Sequence, residues 1–239
     1  MSKTEKYAIK MEDISKTYIS GEIKVEALKN INIEVEMGEI LVILGPSGSG
    51  KTTLLNLIGG ITSPDKGGDL LSIFGKDIKD LAQKDLTEYR RDRVGFIFQF
   101  FNLFPSLTAI DNVVIGIDLL KRKTKKDIDT YQIAKGYLDQ VGLTNRLYHY
   151  PSQLSGGEQQ RVAIARALAK IPFIGKEFIL LCDEPTGDLD TETGNKILKI
   201  MKEMNKNIGI TILLVTHNLR IAEMVSTKII SLKNGQIAN

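Results

Sequence analysis

Gly45-Pro46-Ser47-Gly48-Ser49-Gly50-Lys51-Thr52 follows the apolar run Ile40 to Leu44 and opens a helical stretch that Gly59-Gly60 ends. A buried strand, a glycine-rich turn and a helix in that order form the pattern of a phosphate-binding loop. Glycines let the backbone approach an anion closely, and the free amides at the start of the helix attract negative charge. The expected roles follow. The amides surround the phosphates, Lys51 reaches the β- and γ-phosphates of a nucleoside triphosphate, and the Thr52 hydroxyl holds Mg²⁺. Thr53, on the same turn, completes the expected nucleotide-binding set.

Three more short apolar runs, Val94 to Phe98, Phe178 to Cys182 and Ile210 to Val215, are bounded by turn residues and separated by helical stretches. Buried parallel strands of an α/β sheet read this way. The beginning differs, because Ile31, Ile33 and Val35 alternate with Asn32, Glu34 and Glu36, as in a half-exposed antiparallel strand. Asn234-Gly235, between Ile229-Ile230 and Ile237, predicts a hairpin turn. From Pro105 to Tyr150 strand signals fade, and Leu119, Leu120, Ile128, Ile133, Leu138 and Val141 are spaced among charges in a helical insertion. The expected fold is an α/β phosphate-loop core with a mainly parallel sheet, a small antiparallel layer and a helical subdomain. A single domain over 1–239 is expected, with the core and antiparallel layer over about 1–100 and 160–239 and the helical part over about 101–159. The cluster Lys121-Arg122-Lys123-Thr124-Lys125-Lys126 reads first as a solvated helix end, with contact to acidic headgroups as the alternative.

Ligands of open α/β sheets sit beyond the carboxyl ends of the strands. Gln99, Asp183, Glu184 and His217 all lie just past such ends, as Lys51 does. Asp183 suits the Mg²⁺ shell, and Glu184 can poise a water against a γ-phosphate. His149 occupies no such position. Leu154-Ser155-Gly156-Gly157-Glu158-Gln159-Gln160-Arg161 supplies a second phosphate cue, in which Ser155 and Glu158 form a capping box ahead of a helix expected over Val162 to Lys170. The first loop leaves this second cue without a ligand. Two copies packed head to tail around ATP would use both.

Taken together these motifs resemble the nucleotide-binding subunit of ATP-binding cassette transporters, over nearly the whole chain. The resemblance makes 45–52 the Walker A loop, Gln99 the Q-loop glutamine, 154–158 the signature, 178–184 the Walker B strand, 187–190 the D-loop and His217 the switch histidine. It implies an ATPase with Glu184, His217 and Gln99 in catalysis, and with Thr52, Gln99 and Asp183 at Mg²⁺. ATP would lie against residues 45–53, Ser155, Gly156, Gly157, Glu158 and Asp190. Tyr18 would stack on adenine, unless it simply belongs to the antiparallel layer; stacking tolerates any base, so other purine triphosphates fit the same platform.

Gln99-Phe100-Phe101-Asn102-Leu103-Phe104-Pro105 and Asp183-Glu184-Pro185-Thr186-Gly187 look like the branch containing lipoprotein-release, macrolide-type export and cell-division ATPases. That branch implies a separate membrane permease, which would place this chain in the cytoplasm on the inner face of the membrane. It also implies export or extraction of a lipophilic or peptide substrate. The aromatics after Gln99 either receive a helix of that partner or pack the helical insertion. Two departures from the family pattern stand out, a longer link over Ile171 to Glu177 and Cys182 at a usually different apolar position.

Composition narrows the field. The 239 residues carry 32 basic and 29 acidic side chains, a net charge of +3 that is too weak to imply nucleic acid. The single cysteine excludes an internal disulfide and fits a reducing compartment. Met1 to Lys10 lacks a secretion signal, and the longest apolar runs are about five residues against the roughly 18 of a membrane helix. An ATP-dependent clamp regulating a membrane-anchored cell-wall or signalling complex remains the alternative function. A phosphate-loop kinase or GTPase would lack the signature and the switch histidine.

Overall fold

The computed structural model describes residues 6–121 and 129–238. The basic cluster from Arg122 to Lys126 lies outside the described residues. From the amino end the chain runs β1 (Tyr7–Ser20), β2 (Ile23–Glu36), β3 (Ile40–Leu44), α1 (Lys51–Ile58), β4 (Leu70–Ile73), β5 (Lys76–Asp77), α2 (Gln83–Arg93) and β6 (Val94–Ile97). It continues through α3 (Ala109–Lys121), α4 (Thr130–Gln140), α5 (Gly156–Leu168), the single turn α6 (Ile171–Ile174), β7 (Ile179–Asp183) and α7 (Thr191–Ile208). The last elements are β8 (Thr211–Thr216), α8 (Leu219–Val225), β9 (Lys228–Lys233) and β10 (Gln236–Ala238).

Two sheets form. One is antiparallel with order β2-β1-β4-β5, and the other has order β10-β9-β3-β8-β7-β6. All neighbours in the second sheet pair in parallel except β10 with β9, joined by the Asn234-Gly235 turn. The fold is therefore the expected mixed α/β architecture. β2 shows the alternation read from sequence, with Ile31, Ile33 and Val35 buried and Asn32, Glu34 and Glu36 exposed.

Strand periodicity divides the parallel sheet between two cores. Ile40 and Val42 of β3, Leu180 and Cys182 of β7, and Ile212 and Leu214 of β8 face one cluster with α3, α4, α5, α7 and α8. Leu41, Ile43, Ile179, Leu181, Leu213 and Val215 face the other, with α1 and the antiparallel sheet. Both faces are covered, which is why these strands read as continuous apolar runs.

Several boundaries shift. β7 starts at Ile179 rather than Phe178 and ends on Asp183; β6 stops at Ile97, before Phe98. The helix expected over Val162 to Lys170 begins at Gly156, directly after Ser155. Ser155 Oγ accepts from the Glu158 amide at 3.2 Å, and Glu158 Oε2 accepts from the Ser155 amide at 2.8 Å. This reciprocal cap holds the two-glycine turn in helical form, which glycine's own propensity disfavours.

Gly95, inside β6, makes room for the buried ring of Phe178: a β-carbon there would lie 2.5 Å from that ring. Gly95→Ala should destabilise the protein by about 1–3 kcal/mol through overpacking. Phe178→Leu in the same chain should offset part of that loss, so thermal unfolding of the four proteins in a double-mutant cycle should show clear non-additivity.

Candidate nucleotide site

The loop from Gly45 to Gly50 is set by backbone crowding. Gly50 caps α1 in a left-handed conformation, φ 103°, and a β-carbon on it would sit 2.4 Å from the Ala27 carbonyl oxygen. At Gly45 the corresponding distance to the Leu232 carbonyl oxygen is 2.3 Å. Neither position admits a side chain without moving backbone. The loop thus leans on β2 and β9, and the Gly235 amide donates to the Ser49 carbonyl at 3.1 Å. No side chain caps the start of α1. Its first amides are available to an anion.

Lys51 Nζ bridges the loop, donating to the Gly45 carbonyl at 2.8 Å and the Pro46 carbonyl at 2.9 Å. The Thr52 hydroxyl donates to Asp183 Oδ2 at 2.7 Å. Burial raises the Asp183 pKa above that of a free aspartate, opposed by the Thr52 hydrogen bond. A hydroxyl and a carboxylate this close offer the hard oxygen ligands that Mg²⁺ takes. Among the described residues no group of three or more His, Cys, Asp or Glu side chains gathers to hold a metal. A cation here would complete its shell with phosphate oxygens and water, the usual arrangement for Mg²⁺ at a phosphate site.

Glu184 follows at the strand end with φ 48°, a left-handed backbone that costs a non-glycine residue about 1–2 kcal/mol. Its amide donates to the Val215 carbonyl at 3.1 Å, which holds that turn. Glu184 Oε2 accepts from the Thr216 hydroxyl at 2.9 Å, and Oε1 accepts from the His217 amide at 3.0 Å. His217 Nδ1 lies 2.8 Å from the same Oε1. Because an ionised carboxylate only accepts, the proton belongs on Nδ1, and Nε2 is left for another partner.

These residues meet in a cleft of about 980 Å³ with Tyr18, Ser47, Gly48, Gly50, Lys51, Thr52, Thr53, Gln99, Asp183, Glu184 and His217 in its wall. Gly45, Pro46 and Ser49 do not line it; they shape the loop behind. Ser49 Oγ is buried and makes no hydrogen bond. Ser155, Gly156, Gly157 and Glu158 are absent from the wall. They start α5, where Ser155 and Gly156 are exposed, and a β-carbon on Gly157 would lie 3.0 Å from the Asp188 carbonyl oxygen. Backbone bonding from Ser155, with Arg146 beside it, lowers the Glu158 pKa to about 2. Asp190 caps α7 by accepting from the Thr193 amide at 2.9 Å and faces a neighbouring hollow.

The cleft also holds residues that local sequence did not single out: Val25, Glu26, Ala27 and Lys29 of β2, and Asn234-Gly235 as part of a site rather than only a turn. Val25 pairs directly with Tyr18 across the β1–β2 ladder. Only tertiary pairing places them there. After Gln99, Phe100 and Phe104 are exposed, whereas Leu103 packs on the helical-side core.

The ABC transporter family profile matches residues 28–187. An uncharacterised ABC transporter ATP-binding protein of Methanocaldococcus jannaschii, MJ0796, is 44% identical over 232 residues, covering 96% of this chain and 94% of the relative. The lipoprotein-releasing system ATP-binding protein LolD of Syntrophus aciditrophicus is 40% identical, covering 96% of this chain and 98% of that one. A dimeric structure of MJ0796 in a post-hydrolysis state, bound to ADP and Pi, superposes with a TM-score of 0.87 at 41% identity over 97% of both chains. The phosphate loop, the acidic strand end and these likenesses agree, and the chain belongs to the ABC transporter family as an ATP-binding cassette, an ATPase.

Proposed function

We propose that this cassette is the ATP-hydrolysing subunit of a transporter whose membrane permease is a separate chain, and that it works as a head-to-tail dimer of two copies around two ATP. The observation that carries this reading is the separation of two phosphate-binding features on one chain. The cleft around Lys51 lacks the Ser155–Gly157 turn, and that turn stands exposed at the start of α5. A second copy would supply to each cleft what its own chain cannot.

Within each cleft, Ser47, Gly48 and residues 50–53 bind the phosphates, with Gly45, Pro46 and Ser49 shaping the loop behind them, and Tyr18 stacks on the base beside Val25. Thr52, Asp183 and Gln99 hold Mg²⁺, which supplies charge neutralisation to the phosphates. Glu184 accepts the proton of the attacking water, and His217, held by its Nδ1, donates to a phosphate oxygen when Nε2 also carries a proton. Asp190 acts from the partner side of the interface. In this reading the core and antiparallel layer take up about 1–100 and 160–239, with the helical subdomain between.

A hollow of about 270 Å³ supports the membrane docking face. Phe96, Phe98, Phe104 and Leu119 line it together with Arg91 and Arg166. A permease helix with an apolar stripe and acidic flanks would suit that lining. No helix among the described residues is long and apolar enough to cross a membrane. In this reading the permease holds the cassette on the cytoplasmic face, and the LolD likeness supports export or extraction of a lipophilic or peptide cargo.

Glu184→Gln should lower the turnover number by about 10²- to 10⁴-fold, the usual contribution of a general base. The same variant should run as an ATP-dependent dimer on sizing chromatography; a variant that binds ATP yet stays monomeric would sink the sandwich. Ser155→Ala and Gly156→Asp should leave ADP affinity of the isolated chain within about twofold while removing dimer-dependent turnover, since neither position lines its own cleft and a β-carbon on Gly156 meets only the Phe101 ring at 3.7 Å. Asp183 must be ionised to hold a cation, and its raised pKa means that it takes up a proton at higher pH than a free aspartate. Mg²⁺ affinity of the ATP complex should accordingly fall as pH drops, beginning at a higher pH than a free aspartate would give, and Asp183→Asn should remove the protein's share of this dependence, measured calorimetrically against Mg²⁺ binding to free ATP.

A further inference from the structure

Arg166 lies on α5, eleven residues after Ser155, a distance of about 16 Å at the helical rise. Its Nη1 donates to the Asn102 carbonyl at 2.7 Å and its Nη2 to the Phe101 carbonyl at 3.0 Å. Both carbonyls belong to the bend just past Gln99, where Asn102 takes a left-handed φ of 49°. The Arg166 stem packs against Gly116 of α3, at which a β-carbon would lie 3.4 Å from Arg166 Cγ. Burial of the guanidinium makes these two acceptors valuable, because a desolvated cation without them is costly.

A second cation, Lys170, two residues past the end of α5, fixes the other end of β6. Lys170 Nζ donates to the Val94 carbonyl at 2.6 Å and to the Arg90 carbonyl at 3.3 Å. Val94 to Ile97 is locked by its ladder with β7. The chain is thus tied to β6 just past the end of α5, where the strand enters the sheet, and from α5 itself just beyond the strand's exit. The first tie is to a fixed strand and the second to an exposed bend, so any movement of the bend pulls on α5 through Arg166.

We propose that Arg166 is a positioning residue that links the bend after Gln99 to the helix carrying Ser155–Gly157, so that displacement of one reorients the other. The inference rests on the dimer reading above. A rigid helix transmits such a rotation along its length, and its amino end is the turn offered to the second copy. Planar, two-pronged donation is what arginine provides and lysine does not.

The test compares Glu184→Gln with Glu184→Gln/Arg166→Met and Glu184→Gln/Arg166→Lys. The readouts are the ATP concentration at half-maximal dimer on sizing chromatography, ADP affinity by calorimetry, and thermal unfolding. Arg166→Met should raise the half-maximal ATP concentration by about tenfold or more, the size of effect that losing a charge-assisted pair carries. ADP affinity should stay within about twofold. Arg166→Lys, which can satisfy one carbonyl, should fall between the two. Dimerisation of the Met variant at the parent's ATP concentration overturns the proposal and leaves the dimer reading standing. Should the Met variant fail to fold, the Lys variant decides alone, and dimerisation equal to the parent overturns the link. If the Glu184→Gln parent binds ATP and remains monomeric, the dimer reading fails and this inference falls with it.

Discussion

The parallel register of β3, β8 and β7 is the constraint on which the site depends. Leu44 pairs with Thr216, and Asp183 pairs with Val215, so three strands end at one level. Every residue placed one step past those ends then opens onto the same edge. The hydrogen bond from Thr52 to Asp183 spans 131 positions in sequence and is short only because the ladders fix its two ends. A slip of one residue in any of these strands would exchange its two buried faces and also withdraw its polar residue from the cleft. Packing and chemistry therefore enforce the same register.

That coupling explains why so much was legible from sequence. Strands buried on both faces leave continuous apolar runs, and the polar residue that ends each run marks the functional edge. Lys51, Gln99, Asp183, Glu184 and His217 were found by this logic and meet in one cleft. The capping box at Ser155 was also legible, because its two residues recognise each other's amides locally. The helix starts directly after the cap, at Gly156 and not at Val162, because the reciprocal cap outweighs the low helix propensity of Gly156 and Gly157.

The illegible parts have a common cause. Ala27, Leu232 and Gly235 support the phosphate loop through carbonyls and amides, and backbone groups carry no signature of residue type. The glycines of the loop record the crowding, but nothing in the sequence says which segments press on them. Asp190 carries a second role beside the expected one. A residue assigned to the nucleotide by family likeness is engaged here in capping α7. Both facts can hold together, because a cap fixes the carboxylate and the turn before it in place.

The left-handed backbone at Glu184 gives the arrangement its direction. A non-glycine residue holds that conformation only where its surroundings over-determine it. Here the Glu184 amide bonds β8, while its carboxylate takes a hydroxyl and an amide from Thr216 and His217 at the end of the same strand. The turn at the end of β7 is thereby fastened to the end of β8, and the carboxylate stays at the cleft instead of relaxing into solvent. Lys51 and Thr52 are likewise occupied, by loop carbonyls and by Asp183. The reactive side chains are prepositioned by bonds to one another, so binding a triphosphate has to exchange those partners rather than order free side chains. Such exchange favours a ligand that offers several oxygens at once, which is what a chain of phosphates provides.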